Sequence, residues 1–196
     1  MGRALKMMSS DQIKAFDVKA ASATQRAAYG DTPFGRGCLA ALRLIEAGVR
    51  CVEVTLDGWD TPVNNHELQA KKIQTLDPAF AALIRDLKER KLLDSTVVLC
   101  GGEFGRTPKL NPVGGRDHWP FGFTVALAGG GIRSGQVMGA TDPEGEKKEP
   151  ENPVRVEDLH ATIQHALGID PEKELITPVG RPLALSDGRV IKELLA

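Results

Sequence analysis

An α/β fold follows from two features of this sequence. Runs with apolar residues at helical spacing, such as Leu39, Leu42 and Ile45, alternate with short continuous apolar runs, such as STVVLC at 95–100 and FGFTVALA at 121–128. Glycine, proline and asparagine punctuate the junctions between them. Strands buried on both faces and joined by crossover helices pair in parallel, so a mostly parallel sheet is expected. An open sheet of that kind places its ligand site beyond the carboxyl ends of its strands.

The elements follow in order. Ser9 and Ser10 precede Ile13, Phe16, Val18, Ala20 and Ala21, which read as one capped, peripheral helix ending near Tyr29 and Gly30. Residues 34–47 form a second helix closed by Gly48, and the apolar run Val49, Cys51, Val52, Val54, Leu56 is a buried strand. Residues 68–93 are helical again. Asp77 and Pro78 supply an N-cap and a first-turn proline there, which divides the stretch into a short turn and a main helix. The runs 95–100 and 121–128 are strands, and 132–137 is a further candidate. Residues 140–153, rich in Pro, Gly, Glu and Lys, form an exposed loop, 156–167 a helix stopped by Gly168, and the tail from Pro178 has no clear period.

Composition narrows the function. The 196 residues carry 25 basic and 26 acidic side chains, a net charge of -1, so no basic stripe exists for nucleic acid. The 41% hydrophobic content suits one soluble domain over 1–196. The longest apolar run, 121–131, is far short of the roughly 20 residues of a membrane span. Residues 1–10 hold no apolar signal core or cleavage pattern, which predicts a cytoplasmic chain as written, or an exported one if the true N-terminus is missing. Cys38, Cys51 and Cys100 lie in apolar patterns without metal or redox spacing and are expected as buried free thiols.

The polar chemistry concentrates at three predicted strand ends. The first loop, 57–66, gathers Asp57, Asp60, Asn64, Asn65 and His66, although Asp, Asn and Gly also favour loops for turn geometry alone. The second, 101–108, sets Glu103 and Arg106 among glycines; the carboxylate suits a cation and the guanidinium a phosphate or sulfate, against the plainer alternative of a surface ion pair. The third, 114–120, wedges His118 between Asp117 and Trp119, so that Asp117 would orient the imidazole. Together the three loops offer Asp60, Glu103 and His118 as ligands for a divalent metal, zinc, calcium, magnesium or manganese. His160 and His165 are five apart, a spacing that separates them on a helix, and His165 reads as a packed histidine. No dinucleotide fingerprint, phosphate-binding loop or serine elbow is found.

The segments PFGR at 33–36, GWDT at 58–61, GEFGRTP at 102–108, GRDHW at 115–119 and HALGID at 165–170 together resemble a bacterial family placed in the alkaline phosphatase and arylsulfatase superfamily. The resemblance spans nearly the whole chain and corresponds to the C-terminal half of the superfamily fold. It implies a three-layer α/β/α sandwich, incomplete on its N-terminal side, with metals at the carboxyl edge of the sheet. It further implies that Asp60, Glu103 and His118 take the metal-ligand positions and that Arg106 or Arg116 contacts the oxygens of a small sulfate or phosphate ester. The sequence departs from that pattern at Pro62, where relatives commonly carry a histidine. The resemblance also implies that the nucleophile belongs to the N-terminal half of the superfamily fold, outside the stretch matched here. Two functions remain open: a metal-dependent hydrolase of such esters, or the C-terminal part of one inactive alone, and a non-catalytic remnant acting as a structural or binding domain. An incomplete sheet with an apolar edge would also promote homo-oligomers.

Overall fold

In the computed structural model, which describes residues 11–196, the backbone separates into two units. The first runs through Lys91 with Val113–Gly115 added, and the second comprises Leu92–Pro112 and Arg116–Ala196. The chain is a mixed α and β protein.

The first unit is helical. Helix α1, Ala23–Tyr29, begins where the Ser22 hydroxyl accepts the Gln25 amide hydrogen at 3.1 Å. Helix α2, Pro33–Glu46, begins where Thr32 does the same for Gly35 at 3.0 Å, with Pro33 in the first turn. Helix α3 is Asn65–Glu89 and packs on both. Their shared core holds Tyr29, Leu39, Leu42, Ala79, Ala82 and Leu87. Each fully buried leucine in it contributes roughly 1.5–3 kcal/mol. One polar knot joins α1 to α3: Asp86 Oδ2 accepts from the Tyr29 hydroxyl at 3.1 Å and from Gln25 Nε2 at 2.9 Å.

Three expectations for this unit change. The first helix is broken into 3-10 turns, Asp11–Phe16 and Val18–Ala20, before the α-helix that Ser22 caps; the predicted caps Ser9 and Ser10 lie outside the described residues. The third helix is continuous, with Pro78 inside it. Pro78 removes the helical donor to the Gln74 carbonyl, and both residues are exposed. The predicted strand, which opens at Val49, bends at Arg50 and then runs without bend or turn over 51–56, where Val52, Val54 and Leu56 are half-buried while Cys51, Glu53 and Thr55 are exposed. Its period of two is that of a strand, yet among the described residues no ladder pairs with it. Cys51 is therefore exposed, and only Cys38 of the three thiols is buried.

The second unit holds the strands, and they pair antiparallel. Strand β1, Val98–Cys100, meets β4, Ala126–Ala128, in the register Leu99↔Leu127. Between them β2, Gly105–Arg106, pairs with β3, His118–Trp119. A parallel pairing needs a crossover of a dozen or more residues, usually helical. The chain from Cys100 to Ala126 instead folds back through the β2–β3 pair and re-enters in the opposite sense. The candidate strand at 132–137 is reduced to one bridge, Ile132↔Leu195. Helix α4, Val156–Ala166, leaves His165 exposed rather than packed. A final hairpin joins β5, Glu174–Ile176, to β6, Pro182–Ala184. No helix among the described residues is long and apolar enough to cross a membrane.

Candidate functional site

The loop at 57–66 is shaped by its amides. Thr61 is buried, and its hydroxyl oxygen accepts from Asn65 Nδ2 at 2.7 Å and from Gln69 Nε2 at 3.0 Å. Asn64 takes the left-handed conformation, φ 46°, that asparagine tolerates better than most residues. Residues Val113–Gly115 clasp the same loop: Val63 and Gly114 form a bridge, and the Asn65 amide donates to the Gly114 carbonyl at 2.8 Å. A Cβ on Gly115 would overlap the Pro62 carbonyl. The two asparagines and the two glycines of these motifs are thereby accounted for by backbone geometry. Asp60 stands exposed on this braced loop, and His66 is exposed in the first turn of α3.

In the second unit the GEFGR and DHW segments meet as the two arms of one ladder, with Arg106 directly opposite His118 and Gly105 opposite Trp119. The Phe104 ring packs on the His118 imidazole at 4.4 Å between centroids, and the Arg106 guanidinium lies over the same ring at 5.3 Å. Gly105 is required because a Cβ there would overlap the Gly122 carbonyl. Asp117 Oδ1 accepts from Asn111 Nδ2 at 3.2 Å, and the Asp117 amide donates to the Thr107 hydroxyl at 3.1 Å. Arg116 Nη1 donates to the carbonyls of Thr107 and Pro108, both at 2.5 Å, which makes Arg116 the clamp of this turn.

Beside the ladder lies a cleft of about 430 Å³. Arg106, Trp119, Phe123, Thr124, Thr141 and Asp142 line it. Asp142 is held in place because its Oδ2 accepts the amide hydrogens of Glu146 at 2.8 Å and Lys147 at 3.2 Å. Those hydrogen bonds, the Glu146 amide first, depress its carboxyl below the ordinary range. The aromatic lining and Asp142 were missed from the sequence. The signal was the cluster WPFGF at 119–123, which reads equally well as the start of a buried strand.

The five predicted site residues thus divide. Glu103, Arg106, Arg116 and His118 belong to the second unit, and Asp60 to the first. Glu103 and His118 are both exposed. Among the described residues no three His, Cys, Asp or Glu side chains come close enough to hold one metal ion.

No curated protein and no solved structure matches the chain. A family model does, over residues 1–195, and its description is that of a protein of unknown function. With nearly its whole length matched, the chain belongs to that family, DUF1501.

Proposed function

We propose that this chain binds small sulfate or phosphate esters. The observation that carries this reading is the position of Arg106 on β2, half-buried at a cleft and backed by the Phe104 ring. A guanidinium presents planar paired donors that match the oxygens of such esters, and its aromatic backing keeps it oriented. Arg116 supports the same site indirectly by fixing the Thr107–Pro108 turn that follows β2.

Titration calorimetry with inorganic phosphate and sulfate tests the proposal. Saturable binding that Arg106→Gln weakens about tenfold or more, and that Arg133→Gln leaves unchanged, is expected for one charge-assisted contact. Binding that survives Arg106→Gln removes the proposal.

A second reading is the metal-dependent hydrolase of the alkaline phosphatase and arylsulfatase superfamily, with its three-layer sandwich and Asp60, Glu103 and His118 as metal ligands. The unpaired strand-like run at 51–56 supports it, because a larger sheet would supply the missing ladder. The ligand set draws its support from the resemblance alone. Thermal unfolding of metal-stripped protein with zinc, manganese, calcium or magnesium decides this reading. Metal at about a hundred times its dissociation constant adds roughly 2.7 kcal/mol. A shift that disappears in Glu103→Ala and His118→Ala favours the hydrolase, and no shift with any metal leaves the binding domain.

A further inference from the structure

The cleft beside the β2–β3 ladder mixes two kinds of surface. Phe104, Trp119 and Phe123 offer flat apolar faces, while Thr124 and Thr141 offer hydroxyls and Asp142 a carboxylate. Its volume of about 430 Å³ lies within the range of small-ligand sites. Gly122 also lines the cleft, and a Cβ there would stand 2.7 Å from Thr141 Cγ2 and 3.4 Å from Trp119 Cζ3. A side chain on Gly122 would thus fill the space between the indole and the threonine. The Asp142 carboxylate is fixed in orientation by the amides of Glu146 and Lys147.

We infer that this cleft holds a saccharide ring, so that the ester gripped by Arg106 is a sugar phosphate or sugar sulfate. The inference rests on the reading of Arg106 given above. A saccharide presents an apolar C–H face, which suits the aromatic rings, and a rim of hydroxyls that donate to a carboxylate and exchange hydrogen bonds with threonines. A simple aryl group would match the aromatic faces but strip water from Asp142 and both threonines without replacing its hydrogen bonds, a costly desolvation. Arg106 lines the same cleft, so one ligand reaches both the guanidinium and the polyol surface.

Calorimetry on the full chain compares glucose 6-phosphate and N-acetylglucosamine 6-sulfate with inorganic phosphate, inorganic sulfate, phenyl phosphate and methyl glucoside. At least one sugar ester is expected to bind about tenfold or more tightly than its inorganic anion. Thr124→Val and Gly122→Ala should bring the sugar ester's affinity down to that of its inorganic anion; the threonine variant keeps the test valid if the glycine variant misfolds. Sugar esters no tighter than the inorganic anions overturn the inference, as does tighter binding of phenyl phosphate than of either sugar ester. Inorganic anions that bind without a sugar advantage leave the Arg106 reading standing and refute the saccharide cleft. Methyl glucoside binding in a chain that ignores inorganic anions does the reverse.

Discussion

The Pro62 carbonyl occupies the space that a Cβ on Gly115 would need, so two segments some fifty residues apart in sequence touch backbone to backbone. The clasp is completed by the Val63↔Gly114 bridge and the Asn65 amide, and it fixes the loop that carries Asp60. Gly115→Ala must displace backbone rather than a flexible side chain, and overpacking of that kind costs about 1–3 kcal/mol. Gly102, in the neighbouring motif, has nothing within 4 Å of the same construction. Thermal unfolding should therefore show a midpoint lowered by several degrees for Gly115→Ala and nearly unchanged for Gly102→Ala.

Tyr29 gives the first unit a dependence on alkaline pH. It is 1% exposed, and burial, followed by the nearby Asp86 charge and the hydrogen bond to it, pushes its phenol well above its ordinary value. In the unfolded chain the phenol ionises near pH 10, while in the folded chain it stays protonated. Its stabilising contribution is thus complete below about pH 10 and lost progressively as pH rises beyond that. Tyr29→Phe should cost about 1 kcal/mol at neutral pH and flatten the alkaline loss in denaturant titrations.

Helices were the legible part of this fold. The periodicity of Leu39, Leu42 and Ile45 and the stop at Gly48 are local signals, and α2 begins and ends within a residue or two of where they predict. Strand pairing was not legible, because a short apolar run such as 95–100 says that it is extended and apolar but nothing about its neighbour. Only the chain path between Cys100 and Ala126, turned by the β2–β3 pair, makes that pairing antiparallel. The site was legible in its motifs and hidden in its roles. Asn65 and Gly114 looked like parts of a ligand-rich loop and are used by the backbone, whereas Asp142 sat in a segment whose composition announced only exposure.

Asp158 couples α4 to the chain that follows β6. Its Oδ1 accepts the Arg189 amide hydrogen at 2.7 Å, and this bond, with help from Arg155, holds the carboxyl below its ordinary range. A depressed carboxyl stabilises the fold above the unfolded pKa near 4 and loses that contribution as pH falls below it. Acid unfolding of Asp158→Asn should begin from a lower stability and show a shallower fall below pH 4 than the parent.

Buried beneath the same segment, Thr162 donates to the Asp158 carbonyl at 2.7 Å and accepts from the Ile191 amide at 2.9 Å. Thr162→Val preserves shape but leaves the Ile191 amide without that acceptor, a loss of about 1–3 kcal/mol. Amide hydrogen exchange should rise at Ile191 and its neighbours before it rises in α4.

Arg106 and Arg116 look equivalent in sequence, and the contacts around them separate their tasks. Arg116 spends its Nη1 on two main-chain carbonyls, so Arg116→Ala strands both acceptors of the turn after β2. Hydrogen bonds from a charged donor are worth roughly 1.5–3 kcal/mol, and a loss on that scale should appear as a lowered unfolding midpoint. Both bonds come from the one Nη1, so Arg116→Lys, whose ammonium also carries several donors on one nitrogen, should recover part of that loss. Arg106 instead lies over the Phe104 ring and lines the cleft. The expected pattern is a crossed one, in which Arg116→Ala mainly lowers stability while Arg106→Gln mainly lowers anion affinity. If Arg106→Gln lost more stability than Arg116→Ala and bound phosphate as well as the parent, the assignment of the two arginines would have to be exchanged.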